Sequence, residues 1–351
     1  MGALVYSTFF PLFITKYVDT KVYSMVYGTA FLLSFFVALY LGKIADRYGV
    51  RKAFFVSFSL ATTLLGTSLT PLSETPLLAL FLYSLMAISH QQALVFYNSM
   101  LLSFEKKGIA SGVGVAMGYV GSAVALIFLA RYMSVPYVFL HSSMIFLLLS
   151  LPSLILLENP PMKEKILLRE IFKDKRFIYT VLSILSLTEV ANTLIAMMSI
   201  YLKKVYGLVD TEIYKVIGLS AVGGVLGGLF FGRLVDKVGI YTLFSFGFIF
   251  WSMFLTFLYI VPRELILLIG IFGGFSLAHL WTTSRVLVLE AFPKAQASVR
   301  LSFLSLSERI ASTSGLFVWS LFLTLTGDNY KLSALLMIIF PLLGAFLFIK
   351  R

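Results

Sequence analysis

Long apolar segments, separated by short polar or glycine-containing breaks, run through the whole chain. Most of them are close to the length of about 20 residues that an α-helix needs to cross a hydrocarbon core. A segment in lipid must be helical, because an exposed backbone amide finds no hydrogen-bond partner there. The pattern therefore predicts twelve membrane-spanning helices. Their approximate limits are 2–18, 23–42, 52–71, 76–103, 108–130, 136–157, 177–202, 212–235, 239–260, 264–289, 297–325 and 331–349.

The polar breaks after the second and the eighth span carry related sequences. The first is GKIADRYGVRK, which begins at Gly42, and the second is GRLVDKVGIY, which begins at Gly232. A shift of 190 positions aligns Gly42 with Gly232, Asp46 with Asp236, Arg47 with Lys237 and Gly49 with Gly239. A fixed offset across half of the chain indicates an internal duplication. In a membrane protein, two related halves are typical of a transporter whose halves move against each other.

The duplication predicts an all-α membrane protein with two six-helix bundles. The N-terminal bundle covers residues 1–157 and the C-terminal bundle covers residues 177–351. Residues 158–176 lie between them and form the linker, which belongs to the longest polar and most basic stretch of the chain. The apolar positions Ile166 and Ile171 suggest a short amphipathic helix on the cytoplasmic surface. A solvated linker without a helix is the alternative.

Composition and charge agree with a membrane protein. Of the 351 residues, 59% are hydrophobic and 13% are charged, whereas a soluble domain has about 25% charged residues. The net charge of +12 is an orientation signal rather than a sign of nucleic-acid binding, because lysines and arginines concentrate in the breaks after even-numbered spans. By the positive-inside rule we expect both termini in the cytoplasm, and we expect the plasma membrane of a prokaryote. The chain has no cysteine, which excludes disulfides and thiolate metal sites.

The two related breaks predict a cytoplasmic gate. Their first glycines let helices approach closely, and the acids can face the positive N-terminus of a neighbouring helix. In the first half, the arginines can reach Glu105 at the end of span four, and Glu290 takes the place of Glu105 in the second half. A simple basic stop-transfer loop is the alternative. The predicted gate consists of Gly42, Asp46, Arg47, Arg51, Glu105, Gly232, Asp236, Lys237 and Glu290.

The motif GxxxDRxGxRK in the first break resembles the loop between spans two and three of the major facilitator superfamily, which carries a second copy between spans eight and nine. This resemblance implies the pseudo-symmetric fold of that superfamily, and it implies that Asp46 lies against span eleven near Ala297. The strings VFYNSM (95–100), GIASGVGVAMGYVG (108–121) and SERIASTSG (307–315) are similar to the branch of autophagy-related vacuolar amino-acid effluxers and their prokaryotic relatives. That similarity implies an efflux-type carrier of amino acids.

Three ionisable residues lie halfway along predicted spans: His90 in span four, Glu189 in span seven and His279 in span ten. The superfamily lines its central cavity with these spans, so the resemblance implies that the three groups meet near the membrane midplane. A charge at that depth costs roughly 2.5–3.5 kcal/mol and needs a partner or water. Histidine can gain a proton near neutral pH, and a glutamate removed from water can also take one up. For a single histidine, a helix-to-helix hydrogen bond is the alternative.

Other polar residues share these spans. Arg285 can pair with Glu308 of span eleven, as a buried ion pair. Alternatively, its guanidinium can hold a substrate carboxylate while Glu189 faces an ammonium group. The predicted pathway for substrate or protons consists of His90, Gln91, Tyr97, Asn98, Glu189, Asn192, His279, Trp281 and Arg285.

The sequence thus predicts a secondary active transporter that moves a small solute by alternating access. Proton coupling is favoured over uniport, and we expect a monomer that contacts membrane lipid. The chain has no GxSxG or HExxH motif, so we expect no enzyme activity, no metal and no cofactor. A lipid or amphiphile flippase of the same fold, or a non-transporting membrane sensor, is the alternative.

Overall fold

The computed structural model describes residues 9–71, 74–127, 129, 132–164 and 167–351, and the regular elements in these residues are helices. The α-helices are α1 (Phe10–Ile14), α2 (Thr20–Tyr48), α3 (Arg51–Ser68), α4 (Pro76–Ser99), α5 (Lys107–Ile127), α6 (Tyr137–Leu156), α7 (Leu168–Lys173), α8 (Lys175–Tyr206), α9 (Asp210–Val238), α10 (Ile240–Ile260), α11 (Ile266–Ala291), α12 (Ala297–Leu325), α13 (Tyr330–Leu336) and α14 (Ile339–Lys350). Within the described residues, nine helical stretches are long and apolar enough to cross a membrane. The number of twelve spans stays a prediction.

The predicted spans from the second onwards coincide with helices, but the two motif-bearing helices continue beyond their predicted ends. Helix α2 ends at Tyr48 and α9 ends at Val238, so most of each motif that we expected to be a loop is helical. A single glycine then ends each helix, with φ +69° at Gly49 and φ +91° at Gly239. A glycine with positive φ commonly ends a helix because it adopts this conformation at little cost.

Packing divides the chain into two units. Unit 1 contains the described residues of Met1–Ser103, Gly121–Ile166 and Lys294–Ser305, and unit 2 contains Phe104–Val120, Leu167–Pro293 and Leu306–Arg351. The units therefore differ from the predicted bundles of residues 1–157 and 177–351. The difference arises because the first part of α5 packs within unit 2 and the first part of α12 packs within unit 1. The chain passes from unit 1 to unit 2 inside the predicted linker.

In unit 1, helices α2, α3, α4 and α6 pack through aromatic side chains. Phe10 of α1 stacks on Tyr83 of α4 with ring centroids 3.7 Å apart, and both belong to an apolar cluster with Phe139 of α6. A second cluster joins Phe96 of α4 with Phe55 of α3. These clusters bury aromatic area between helices and hold α4 against its neighbours.

In unit 2, helix backbones touch at glycines. A Cβ atom on Gly223 of α9 would lie 1.9 Å from the carbonyl oxygen of Ile271 on α11. A Cβ atom on Gly112 of α5 would lie 2.1 Å from the carbonyl oxygen of Gly228 on α9. Any larger residue would separate these helices, so the glycines set the close packing of α5, α9 and α11.

The linker contains one short helix, α7, in the region where we expected an amphipathic helix. Ile171 is buried, whereas Phe172 is exposed, which is the two-sided pattern of an amphipathic segment. Ile166 lies outside the described residues.

Candidate functional site

Asp46, near the end of α2, binds the N-terminus of α12. Its carboxylate oxygens accept hydrogen bonds from the backbone N–H groups of Ser298 (3.1 Å) and Val299 (3.0 Å). A Cβ atom on Gly42, one turn earlier, would lie 3.1 Å from the backbone nitrogen of Val299, so this glycine permits the close approach. The contact is favourable because a helix N-terminus carries partial positive charge. Asp46 thus lies where the motif and the resemblance place it.

Arg51 balances the charge of Asp46. Its Nη2 atom lies 2.8 Å from Asp46 Oδ1, and both side chains have 0% exposure. Other guanidinium N–H groups donate to the carbonyl oxygens of Ala295 (2.8 Å) and Met162 (2.7 Å). This corrects our expectation that Arg51 reaches Glu105, because nearer acceptors already satisfy the planar fork of donors.

The first part of the linker lies across this contact, and we call residues 158–164 the strap. The side-chain oxygen of Asn159 accepts a hydrogen bond from the backbone N–H of Lys52 (3.0 Å). The backbone N–H of Glu164 donates to the carbonyl oxygen of Asp46 (2.9 Å). We call the contacts around Asp46 the first latch, and they join three segments, which are the end of α2, the strap and the start of α12. The contacts around Asp236 are the second latch. Sequence reasoning missed the strap because backbone groups make most of its contacts.

Asp236 makes the corresponding contact in unit 2. Its two carboxylate oxygens accept from the backbone N–H groups of Gly108 and Ile109 at the start of α5, both at 2.9 Å. This acid is exposed, whereas Asp46 is buried. The position aligned with Arg51 by the 190-residue shift holds Tyr241. The second latch repeats the acid at a helix N-terminus without the buried arginine.

The remaining charged gate residues lie at or near the surface. Glu290 pairs with Lys107 at the start of α5, with Oε1 and Nζ 2.8 Å apart. The side chain of Lys237 is exposed. Arg47 lies over the ring of the next residue, a tyrosine, 5.1 Å from its centroid, and Glu105 is exposed.

Glu189, in the middle of α8, is a buried acid that faces α12. It has 5% exposure, and the hydroxyl of Ser314 donates to its Oε1 atom at 2.5 Å. The Oε2 atom is buried and has no hydrogen-bond partner among the described residues. A Cβ atom on Gly315 would lie 2.8 Å from Oε2 and 2.1 Å from Oγ1 of Thr193, so only glycine fits there. A charge on such a carboxyl is costly unless a proton, a cation or water joins it.

His279, on α11, contacts a backbone carbonyl of α10 and two phenylalanine rings. Its Nε2 atom lies 2.8 Å from the carbonyl oxygen of Leu243 on α10, and its ring packs against Phe231 and Phe250. The side chain is fully buried. This geometry is the helix-to-helix hydrogen bond that we considered as the alternative. A proton site shared by His279 and Glu189 stays a prediction.

The predicted pathway residues of α4 lie in unit 1. His90 is half-buried, and its ring centroid lies 6.0 Å from that of Phe146 on α6. Tyr97 follows on the same helical face and packs on an aromatic ring of α3. Gln91 is buried, and its Oε1 atom has no hydrogen-bond partner among the described residues, while Asn98 is half-buried. A place for these four residues in the pathway stays a prediction.

Arg285, on α11, is half-buried and binds α5. Its Nε atom donates to Ser111 Oγ (2.7 Å), and its Nη2 atom donates to the Ser111 carbonyl oxygen (3.0 Å). Trp281, one turn earlier, is also half-buried. Asn192 of α8 donates to the backbone carbonyl oxygen of Glu308 at 3.0 Å. The predicted ion pair between Arg285 and Glu308 stays a prediction.

Comparison with known proteins places the whole chain in one family. A sequence profile of the Major Facilitator Superfamily matches residues 1–242 and 181–351. A protein of Aquifex aeolicus (strain VF5) is 57% identical over 350 residues, which cover 100% of this chain and 93% of that protein. The MFS-type transporter YxiO of Bacillus subtilis (strain 168) is 31% identical over 154 residues, which cover 38% of this chain and 36% of YxiO.

Solved transporters share the fold. A bacterial homologue of the iron transporter ferroportin, in an outward-facing state, matches with a TM-score of 0.74 and 18% identity over 99% of this chain and 94% of that one. The Escherichia coli fucose:proton symporter FucP matches with a TM-score of 0.76 and 13% identity over 97% of this chain and 93% of that one. At these identities the likeness shows the fold alone.

The predicted fold class, a multi-pass all-α membrane protein of the major facilitator type, is confirmed by these matches. The expectation of a transporter rather than an enzyme is confirmed by the same family assignment. Secondary transport of a small molecule follows as the general activity. The chain belongs to the Major Facilitator Superfamily.

Proposed function

We propose that this transporter couples the movement of a small solute to protons and that Glu189 carries the proton. The setting of Glu189 is the observation on which the proposal rests: it is a buried carboxyl with one hydroxyl donor and one oxygen without a partner in the described part of the chain. A proton on this carboxyl removes the cost of enclosing a charge when the site is closed to water. Release of the proton on the other side would complete the coupling.

An amino acid or a similar zwitterion is the solute class that these residues suit best. Unit 2 contains both a half-buried cation, Arg285, and a buried acid, Glu189. A guanidinium can bind a carboxylate through two parallel hydrogen bonds, and the acid would face the ammonium group. Efflux is the direction implied by the resemblance to the vacuolar amino-acid effluxers.

The two latches close the cytoplasmic side in this proposal. Asp46 and Asp236 each hold the N-terminus of a helix from the opposite half of the sequence. Alternating access requires these contacts to break when the cytoplasmic side opens. Because the strap binds the backbone around Asp46, it must move in the same step.

The test begins with the purified protein and a thermal-shift screen of amino acids, sugars and organic anions, because a bound solute raises apparent stability. Counterflow of the radiolabelled solute that binds best is then measured in proteoliposomes. A transporter gives counterflow, whereas a sensor binds the solute without moving it. Binding of sugars only would contradict the proposed solute class.

The variant Glu189→Gln tests proton coupling. We expect solute exchange to remain with weaker solute binding, because the amide no longer offers a charge to the ammonium group. Accumulation driven by a pH gradient should fall by about 10-fold or more, because the amide cannot take up a proton between about pH 4 and pH 9. Glu264→Gln is the matched control, since Glu264 is an exposed acid in the short 3-10 helix between α10 and α11. Unaltered pH dependence in Glu189→Gln would exclude Glu189 as the proton site.

Movement of an amphiphile is a second candidate, favoured by an apolar cavity in unit 2. The cavity has a volume of about 280 Å³, and Leu194, Met198, Trp251 and Phe254 are among its lining residues. Ile195, also in its wall, is 57% exposed, so the cavity opens at the surface of the unit. Dithionite quenching of fluorescent lipids in the same proteoliposomes separates the two functions. A lipid transporter would speed lipid exchange between leaflets, and a solute carrier would not.

A further inference from the structure

Two arginines meet on one tyrosine ring, at the end of unit 2 that also carries the Asp236 latch. Arg176, at the start of α8, donates from Nη2 to the hydroxyl of Tyr241 at 3.0 Å. The guanidinium of Arg351 lies 4.3 Å from the centroid of the same ring and 3.6 Å from that of Phe348. Cation–π contacts of this kind hold a guanidinium in place without neutralising it.

Neither arginine forms an ion pair with a carboxylate among the residues that the structure describes. In unit 1 the position aligned with Tyr241 is Arg51, and Arg51 forms an ion pair with Asp46. Burial, and to a smaller extent the charge of Arg176, lowers the pKa of Arg351. One terminal nitrogen of Arg351 is buried and has no hydrogen-bond partner in the described part of the chain. This cluster has two cations, and no carboxylate side chain of the described residues pairs with them.

A cavity of about 390 Å³ lies beside Arg351, between α10 and α14, and Arg176 reaches its wall through the hydroxyl of Tyr241. Its polar end contains Arg351, Tyr241 and the hydroxyl groups of Thr242 and Ser245. Its apolar end contains Phe246 and Ile249, which are 45% and 56% exposed on the outer surface of α10. Positions 242, 245, 246 and 249 fall on one face of that helix. The cavity therefore changes from cationic to apolar along a single helix face.

We propose that this cavity binds an anionic phospholipid, with its phosphate at Arg351 and Arg176 and an acyl chain along Phe246 and Ile249. Guanidinium groups match the charge and the oxygen geometry of a phosphate. Tyr241 lies at the start of one membrane-spanning stretch, and Arg351 directly follows the end of another, so the polar end lies at the level of lipid headgroups. Basic pockets between membrane helices bind such headgroups. A free phosphate would share the charge but leave the apolar wall empty.

The wild-type protein tests the choice of ligand. In neutral detergent, phosphatidylglycerol, phosphatidylcholine and inorganic phosphate are titrated, and bound lipid is counted by native mass spectrometry. We expect the protein to retain one phosphatidylglycerol molecule, with an affinity about 20-fold above that for phosphatidylcholine. The difference is expected because two arginines near the headgroup attract the anionic lipid. Equal affinities for the two lipids would overturn the proposal. Displacement of phosphatidylglycerol by millimolar inorganic phosphate would also overturn it, because the site would then take a free anion.

Variants test the location, with a matched control one residue away. Arg351→Gln and Arg176→Gln should each weaken phosphatidylglycerol binding by about fivefold. Lys350→Gln removes the same charge from a residue that lies over Phe346 instead, and it should leave the affinity within about twofold. An equal loss in Lys350→Gln and Arg351→Gln would show a general effect of surface charge and would overturn the site. If one arginine variant fails to fold, the other variant and the wild-type titrations still decide the outcome.

Discussion

At the scale of single residues, Gly315 shows how a side chain that is absent shapes the candidate proton site. The Glu189 carboxyl and the Thr193 hydroxyl both lie against the space where a Cβ atom of this residue would be. Ser314, next to it, provides the hydroxyl that binds Glu189. The carboxyl can therefore stay between α8 and α12 only because position 315 is glycine. Nothing in the string SERIASTSG distinguishes this glycine from one that only packs.

The variant Gly315→Ala tests this dependence. An added methyl group would overpack the contact and should lower the free energy of unfolding by about 1–3 kcal/mol. It should also reduce solute flux, because Glu189 must move. Thermal denaturation in detergent and counterflow measure the two effects. Gly118→Ala is the matched control, since a Cβ atom there meets nothing within 4 Å. Equal behaviour of the two variants would contradict the assignment.

At the scale of helices, the two latches have the same geometry but different environments. Asp46 and Asp236 each accept two backbone hydrogen bonds at a helix N-terminus. Asp46 is buried with Arg51, whereas Asp236 is exposed. Water screens an exposed charge, so burial decides how strongly each acid holds its helix. The duplicated motif therefore specifies the contact but not its strength.

Paired Asp→Asn variants test this difference. Asp46→Asn leaves the charge of Arg51 buried without its acid and should cost about 3–5 kcal/mol of stability. Asp236→Asn removes an exposed acid from a helix N-terminus and should cost no more than about 1 kcal/mol. Denaturation of the two variants in the same detergent gives the comparison. A loss in Asp236→Asn as large as that in Asp46→Asn would contradict the argument from burial.

The strap provides a separate test at the same scale. Asn159→Ala removes the side-chain contact to Lys52 and a second hydrogen bond to the Gly49 carbonyl oxygen. Limited trypsin cleavage within the linker should become about fivefold faster. The reason is that the strap of the variant can open locally without the free-energy cost of breaking these two hydrogen bonds. Glu158→Gln is the control, since Glu158 accepts a hydrogen bond from Ser103 through its backbone carbonyl oxygen, which this substitution keeps. Unchanged cleavage in Asn159→Ala would show that the strap is held by its backbone alone.

At the scale of the whole molecule, the distribution of basic residues predicts the orientation in the membrane. The break that contains Lys237 and the linker are rich in lysine and arginine, whereas the break between α10 and α11 is not. Positive residues remain on the cytoplasmic side during insertion. The two latches, the strap and the arginine cluster at Tyr241 should therefore all face the cytoplasm.

Single introduced cysteines test the orientation without background labelling of native cysteines, because the chain has no cysteine of its own. Lys237, in the last turn of α9, and Glu264, which follows α10, are both exposed and lie near the ends of successive helices. A membrane-impermeant maleimide should label Glu264→Cys in intact cells and should label Lys237→Cys only after the membrane is disrupted. The reverse pattern would place the latches on the outer side.

The sequence by itself determined the helical spans, the duplication and the acids that face helix N-termini. These features depend on apolar length, on a constant offset and on spacing within one helix, and each can be read along the chain. Only the tertiary structure decided which groups are partners. In the structure, Arg51 contacts Asp46 and backbone carbonyl oxygens, and His279 contacts the Leu243 carbonyl oxygen. Glu189 accepts a hydrogen bond from Ser314. A polar side chain binds the acceptor or donor that helix packing brings within reach, and many of these are backbone groups or serines that look alike in every sequence.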